Sequence, residues 1–188
     1  MRAEPLALGP RARMLEAAAT GAWLGLTQAA LGFALLAGAG ASAALFFALL
    51  GAWLAGGVAG SLGVSERGRA GSAPGRALLL GLSLLGAASA RGALWRWPFS
   101  SAPVWAGLAA GSLAGAYAAR FLRDRAEDWG SPRTLLLHEN NGFLVGYMSA
   151  GGLLFVSARA LWAAVLLGGL LLLAWSLLDA RRAQGKRG

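Results

Sequence analysis

The sequence predicts an all-α membrane protein, with six transmembrane helices in one domain over residues 1–188. Hydrophobic residues make up 57% of the 188 residues and charged residues only 13%, about half the charge of a soluble domain. Six apolar runs approach the roughly 20 residues that a spanning helix requires. None of them alternates apolar and polar residues as the strands of a membrane barrel do.

Short segments with glycine, serine or proline separate the six runs. Residues 38–42 leave room only for a tight turn between the first two helices. Pro74 precedes the third helix, and Pro103 opens the fourth at a position where a missing N–H costs nothing. Ser131 and Pro132 form the cap-and-proline pattern that begins a helix. The predicted spans are 17–37, 43–62, 77–94, 104–119, 134–156 and 160–178.

The basic residues predict the orientation. With six spans, 14 of the 17 lysines and arginines fall on one side of the membrane and 3 on the other. The positive-inside rule therefore predicts an inner (plasma) membrane protein with both termini in the cytoplasm. Trp95, Trp97 and Trp105 are then expected in an aromatic belt on the outer side.

The composition also excludes several functions. The net charge of +9 does not indicate nucleic-acid binding, because the arginines end apolar runs and do not line one face. There is no cysteine and only one histidine, so we expect no metal site and no cofactor. A serine hydrolase is not expected, because the sequence has no nucleophile elbow. We assign no catalytic residues and predict that the chain is not an enzyme.

Parts of the sequence suggest an inverted repeat of three helices plus three, as in many transporter folds. With an offset of 95, residues 49–51 match 144–146 and residues 55–58 match 150–153. A weaker match relates Trp23 and Gly25 in the first helix to Trp105 and Gly107 in the fourth.

Two stretches resemble a known family. The helix end at 57–62, followed by Ser65-Glu66-Arg67-Gly68-Arg69, resembles the second cytoplasmic loop of major facilitator superfamily transporters, although Glu replaces the usual Asp and one spacer residue is missing. Residues 140–146, an asparagine pair followed by spaced glycines, are similar to the fifth helix of the membrane halves that are fused to polyamine-synthase-like domains. The resemblance implies a six-helix half domain without enzymatic activity.

A polar run near the start of the fifth helix is the candidate substrate or proton path. It consists of His138, Glu139, Asn140 and Asn141, and ionisable residues within a span are costly and often functional. We expect His138 and Asn141 to share a face with the following glycines, and Glu139 to point about 100° away. The alternative is a first helical turn at headgroup depth, where the helix dipole favours an acidic residue.

Thr27 and Gln28 are the strongly polar pair of the first helix. They either line the same path or hydrogen-bond to the fifth helix as structural contacts. In the fourth loop, acidic and basic residues alternate between 120 and 128. Their spacing of three to four residues predicts a short surface helix that pairs its own charges.

Glycine stripes are candidates for close helix packing or for a subunit interface. The first stripe consists of Gly107, Gly111 and Gly115, the second of Gly142 and Gly146, and the third of Gly56 and Gly60. The first stripe is also a candidate dimer interface.

These features leave three functions open. The first is a half-size, transporter-like protein that is proton-linked and works as a homodimer in the lipid bilayer. The second is a structural or accessory subunit that anchors a partner membrane protein, which the scarcity of buried polar residues favours. The third is an intramembrane enzyme acting on lipid, for which His138 and Glu139 offer the only acid–base pair.

Overall fold

A computed structural model describes residues 9–40, 42–62, 72–126 and 128–184, and these residues form six helices and no strand. The loop 63–71, which carries the facilitator-like stretch, and Glu127 lie outside the described residues. The helices are α1 (Pro10–Ala39), α2 (Ala43–Leu62), α3 (Ser72–Arg96), α4 (Ala102–Ala126), α5 (Pro132–Val156) and α6 (Ala158–Gln184).

The predicted helices exist, but most of them are longer than the predicted spans. α2 has the predicted bounds, and α5 begins after Ser131 as the cap-and-proline pattern indicates. Pro74 does not precede α3 but lies in its first turn, and α4 begins one residue before Pro103. The extensions of α1, α4 and α6 carry charged residues, which a hydropathy pattern does not count as part of a span.

Four of the helices are long and apolar enough to cross a membrane, namely α1, α2, α3 and α6. Glycine and other weakly apolar residues within 102–119 keep the mean hydropathy of α4 low, and the polar run at 138–141 lowers that of α5. The all-helical fold is thus confirmed, with four helices whose length and composition suit a membrane, and the six crossings of the bilayer stay a prediction.

Glycines bring two pairs of parallel helices into backbone contact. A Cβ on Gly142 or Gly146 of α5 would collide with the carbonyl oxygen of Ala18 or Ala22 in α1, and one on Gly21 with that of Glu139. Side chains of any other kind would hold the backbones apart, so these glycines permit the close approach.

The second pair, α2 and α4, has the same arrangement. Gly56 and Gly60 lie against the carbonyl oxygens of Ser112 and Ala116, and Gly115 lies against that of Trp53. Three of the α1–α5 contacts have an α2–α4 counterpart, obtained by adding 94 to the α1 number and subtracting 86 from the α5 number. They are Ala18–Gly142, Ala22–Gly146 and Gly21–Glu139, which correspond to Ser112–Gly56, Ala116–Gly60 and Gly115–Trp53. In these contacts Gly56 corresponds to Gly142, whereas the sequence match paired it with Gly151. Short matches between alanine- and glycine-rich helices arise easily by chance.

The remaining helices close the bundle. α3 packs against α4 and α6, and α6 also packs against α1, where the Trp23 indole donates a hydrogen bond to the Val165 carbonyl at 2.9 Å. Buried apolar side chains form two clusters, one around Trp23, Tyr117 and Phe121, the other around Leu35 and Trp162. The tryptophans 95, 97 and 105 are exposed, as a membrane belt requires.

Candidate functional site

Charged side chains from four helices meet at one end of the bundle, which we call the charged end. The cluster consists of Glu16 on α1, Arg76 on α3, Arg120, Asp124 and Arg125 on α4, Asp128 in the turn after α4, and Asp179 on α6. It joins the starts of α1 and α3 to the ends of α4 and α6.

Arg125 is the centre of this cluster. Its Nη2 donates to Glu16 Oε1 at 2.6 Å and to Asp179 Oδ2 at 2.8 Å. Arg125 lies beyond the predicted span 104–119. Burial alone would lower its pKa, but the nearby carboxylates, Glu16 foremost, outweigh that effect and hold the pKa of Arg125 above its ordinary value. The guanidinium is therefore charged, as arginine is in proteins generally.

Arg76 extends the cluster to α3. Its side chain is only 2% exposed and donates to Asp179 Oδ2 at 2.9 Å, with Asp124 3.9 Å away. The Nε atoms of Arg76 and Arg125 have no hydrogen-bond partner among the described residues. Arginines this deeply buried require charged partners, so the cluster fixes the relative positions of the helices that it joins.

The sequence interpretation of residues 120–128 is therefore correct only in part. Arg120 and Asp124 do pair within one helix, at 3.1 Å. They belong to α4 itself, however, and not to a separate surface helix. Arg125 and Asp124 reach other helices, and such pairs have no local spacing by which the sequence could reveal them.

Glu139 occupies the buried face of α5, which is a correction to its predicted direction. Glu139 is 7% exposed and shares the face of Leu135, Gly142 and Gly146, which packs on α1. Unlike Glu16, it has no hydrogen bond or ion pair with any residue that the structure describes. A buried acid without a cation is costly in free energy.

The other members of the polar run do not join Glu139. Asn140 and Asn141 are exposed, so Asn141 is not on the face of the glycines. His138 is half-buried, and its ring lies 5.4 Å from that of Trp129 at the charged end. The four residues thus do not line one path within the chain.

No protein family, curated protein or solved structure matches this chain. The facilitator-like resemblance therefore rests on the sequence stretches alone. Within the described ranges, no three acidic or histidine side chains lie close enough together to hold a metal ion.

On α1, Thr27 is buried, and its Oγ1 has no hydrogen-bond partner within the described part of the chain. Gln28 is half-buried. No hydrogen bond from Thr27 to α5 is present among these residues, so the expected structural contact does not form.

The candidate dimer stripe on α4 lies inside the chain. Gly107 faces the side chain of Leu35 on α1, Gly111 faces that of Leu49 on α2, and Gly115 contacts the backbone at Trp53. The chain's own helices therefore occupy the surface that a second copy would need.

Proposed function

We propose that the chain is a half-size, proton-linked transporter of the inner membrane, in which Glu139 carries the proton. The observation that carries this proposal is the burial of Glu139 without a partner. An ion-paired acid such as Glu16 has a structural role, since it neutralises Arg125. An unpaired buried acid contributes no such stability, and intramembrane acids of this kind serve in proton relays.

The repeated helix contacts support the same function. The parallel pairs α1–α5 and α4–α2 make contacts related by constant offsets, as expected if residues 10–96 and 102–184 are inverted repeats. Inverted repeats are common in transporters, which alternate access by rocking one repeat against the other. In this arrangement all six helices cross the membrane, with the charged end in the cytoplasm, and two copies form the working unit. No enzymatic reaction is assigned to the chain.

The test is transport by the full chain reconstituted in vesicles. A panel of sugars, amino acids and monovalent cations is applied across a pH gradient, and solute-induced currents are recorded. The parent should give a current that depends on pH. Glu139→Gln, which keeps the side-chain shape but cannot titrate, should remove the pH dependence while the protein still folds. His138→Gln is the matched control and should keep it, because His138 lies away from the buried face of α5.

An accessory role is the second candidate, and the backbone contacts at the glycines favour it. Interlocked helix pairs and a charged cluster that joins four helices suit a rigid scaffold. A scaffold gives no current with any solute and tolerates Glu139→Gln. Currents with unchanged pH dependence in Glu139→Gln would contradict the role of Glu139 as proton carrier.

A further inference from the structure

A cavity of about 320 Å³ lies at the charged end, between the first turns of α1 and the turn that joins α4 to α5. This volume is within the range of small-ligand sites, about 300–1,000 Å³. The lining residues that bear on its chemistry are Arg13, Met14, Trp129, Ser131, Thr134 and His138.

The charge of the cavity is positive. Arg13 donates a hydrogen bond to the carbonyl oxygen of Asp128, which holds its guanidinium beside the turn. No carboxylate of the described residues pairs with Arg13, and none of the lining residues is acidic. Arg13 thus supplies the charge in the lining of this cavity, and a positive charge there favours an anion.

Neutral hydrogen-bond donors surround this charge. Ser131 is the N-cap residue of α5, yet its side chain makes no capping hydrogen bond. Its hydroxyl and that of Thr134 are exposed at the cavity. The His138 ring stands against Trp129, and the start of α5 adds the positive end of a helix dipole. Arginine, hydroxyl and imidazole donors together suit a phosphate group.

Apolar surface continues outward from the cavity. Met14 lines it and is 42% exposed, and Leu15 and Leu137 beside the lining residues are exposed as well. Contact with such a surface does not stabilise a bound free anion, whereas it does stabilise the acyl chains of a bound lipid. We infer that the cavity binds the phosphate group of an anionic phospholipid, whose acyl chains lie along α1 and α5. Basic pockets at helix ends on the cytoplasmic side recognise lipid headgroups in this way.

Native mass spectrometry of the delipidated full chain in detergent tests the inference. Phosphatidylglycerol, phosphatidylcholine and inorganic phosphate are titrated separately. Phosphatidylglycerol should bind more tightly than phosphatidylcholine, and Arg13→Gln should weaken it about fivefold. Arg11→Gln is the matched control, since Arg11 is exposed on the same helix and does not line the cavity; it should have the smaller effect.

Thr134→Val removes one exposed hydroxyl and provides a second test that does not disturb the contact of Arg13 with the turn. It should also weaken phosphatidylglycerol binding, whereas Ser149→Ala, at an exposed serine farther along α5, should not. Equal losses in Arg13→Gln and Arg11→Gln, or no loss in Thr134→Val, would overturn the site. Inorganic phosphate that competes as well as the lipid would show a phosphate site but overturn the lipid as its source.

Discussion

Arg125, at the end of α4, and Asp179, near the end of α6, are joined by a hydrogen bond of 2.8 Å, and Arg76 of α3 binds the same carboxylate oxygen. Two arginines thus share one acidic side chain. Since Glu16 of α1 also binds Arg125, one cluster holds four helices together at one end of the bundle.

Removal of Arg125 should destabilise the protein strongly. Arg125→Gln leaves the carboxylate of Glu16 buried without its cation, and breaking a buried pair costs about 3–5 kcal/mol. Thermal unfolding in detergent measures the change. Arg123→Gln is the control, because Arg123 is exposed on the same helix and, among the described residues, donates only to the Ser61 carbonyl. It should cost less than about 1 kcal/mol.

A second substitution tests the physical cause of that loss. Glu16→Gln added to Arg125→Gln removes the unpaired charge, so the double variant should be more stable than Arg125→Gln alone. A double-mutant cycle gives the coupling, expected within about 0.5–3 kcal/mol. Additive losses would show that the two side chains do not act as a pair.

The glycine contacts should tolerate no side chain. In Gly146→Ala the new methyl group meets the Ala22 carbonyl oxygen, so the helices must separate, at about 1–3 kcal/mol. Gly151→Ala in the same helix meets no atom within 4 Å and should be neutral or slightly stabilising. Thermal unfolding of the two variants compares them directly.

The counterpart of Gly146 in the other helix pair is Gly60, which lies against Ala116. Gly60→Ala should therefore cost about as much as Gly146→Ala. A cost in only one of the two variants would contradict the equivalence of the pairs.

Reporter fusions test the membrane topology. Fusions after Gly188 and at Arg67 should report the cytoplasm, and one at Ser100 the exterior, because most basic residues fall on the side of the first two sites. An exterior location for Gly188 would be incompatible with six crossings. An interior location for Ser100 would mean that α3 does not cross.

The helices could be predicted from the sequence because apolar length and turn residues are local properties. The bounds of α2 and the start of α5 agree with the sequence prediction. The starts of α1 and α3 and the ends of α4 and α6 do not, because these polar turns are held by partners on other helices. Arg76 and Asp179 are 103 positions apart in the chain, and nothing near either residue indicates the other.

The direction of the Glu139 side chain could not be predicted from the sequence either. On a helix, Gly142 and Gly146 are neighbours of both His138 and Glu139, so the sequence allows either residue to share their face. Packing against α1 selects Glu139, and His138 then faces Trp129.

The sequence by itself determined that this protein is an all-helical chain with membrane-type apolar helices. The composition and the length of the apolar runs decide whether a helix suits water or lipid. Only the tertiary structure decided which faces meet, which acid remains unpaired and which charges form a cluster. Periodicity orders residues around one helix, whereas contacts between helices depend on how their surfaces fit together in space.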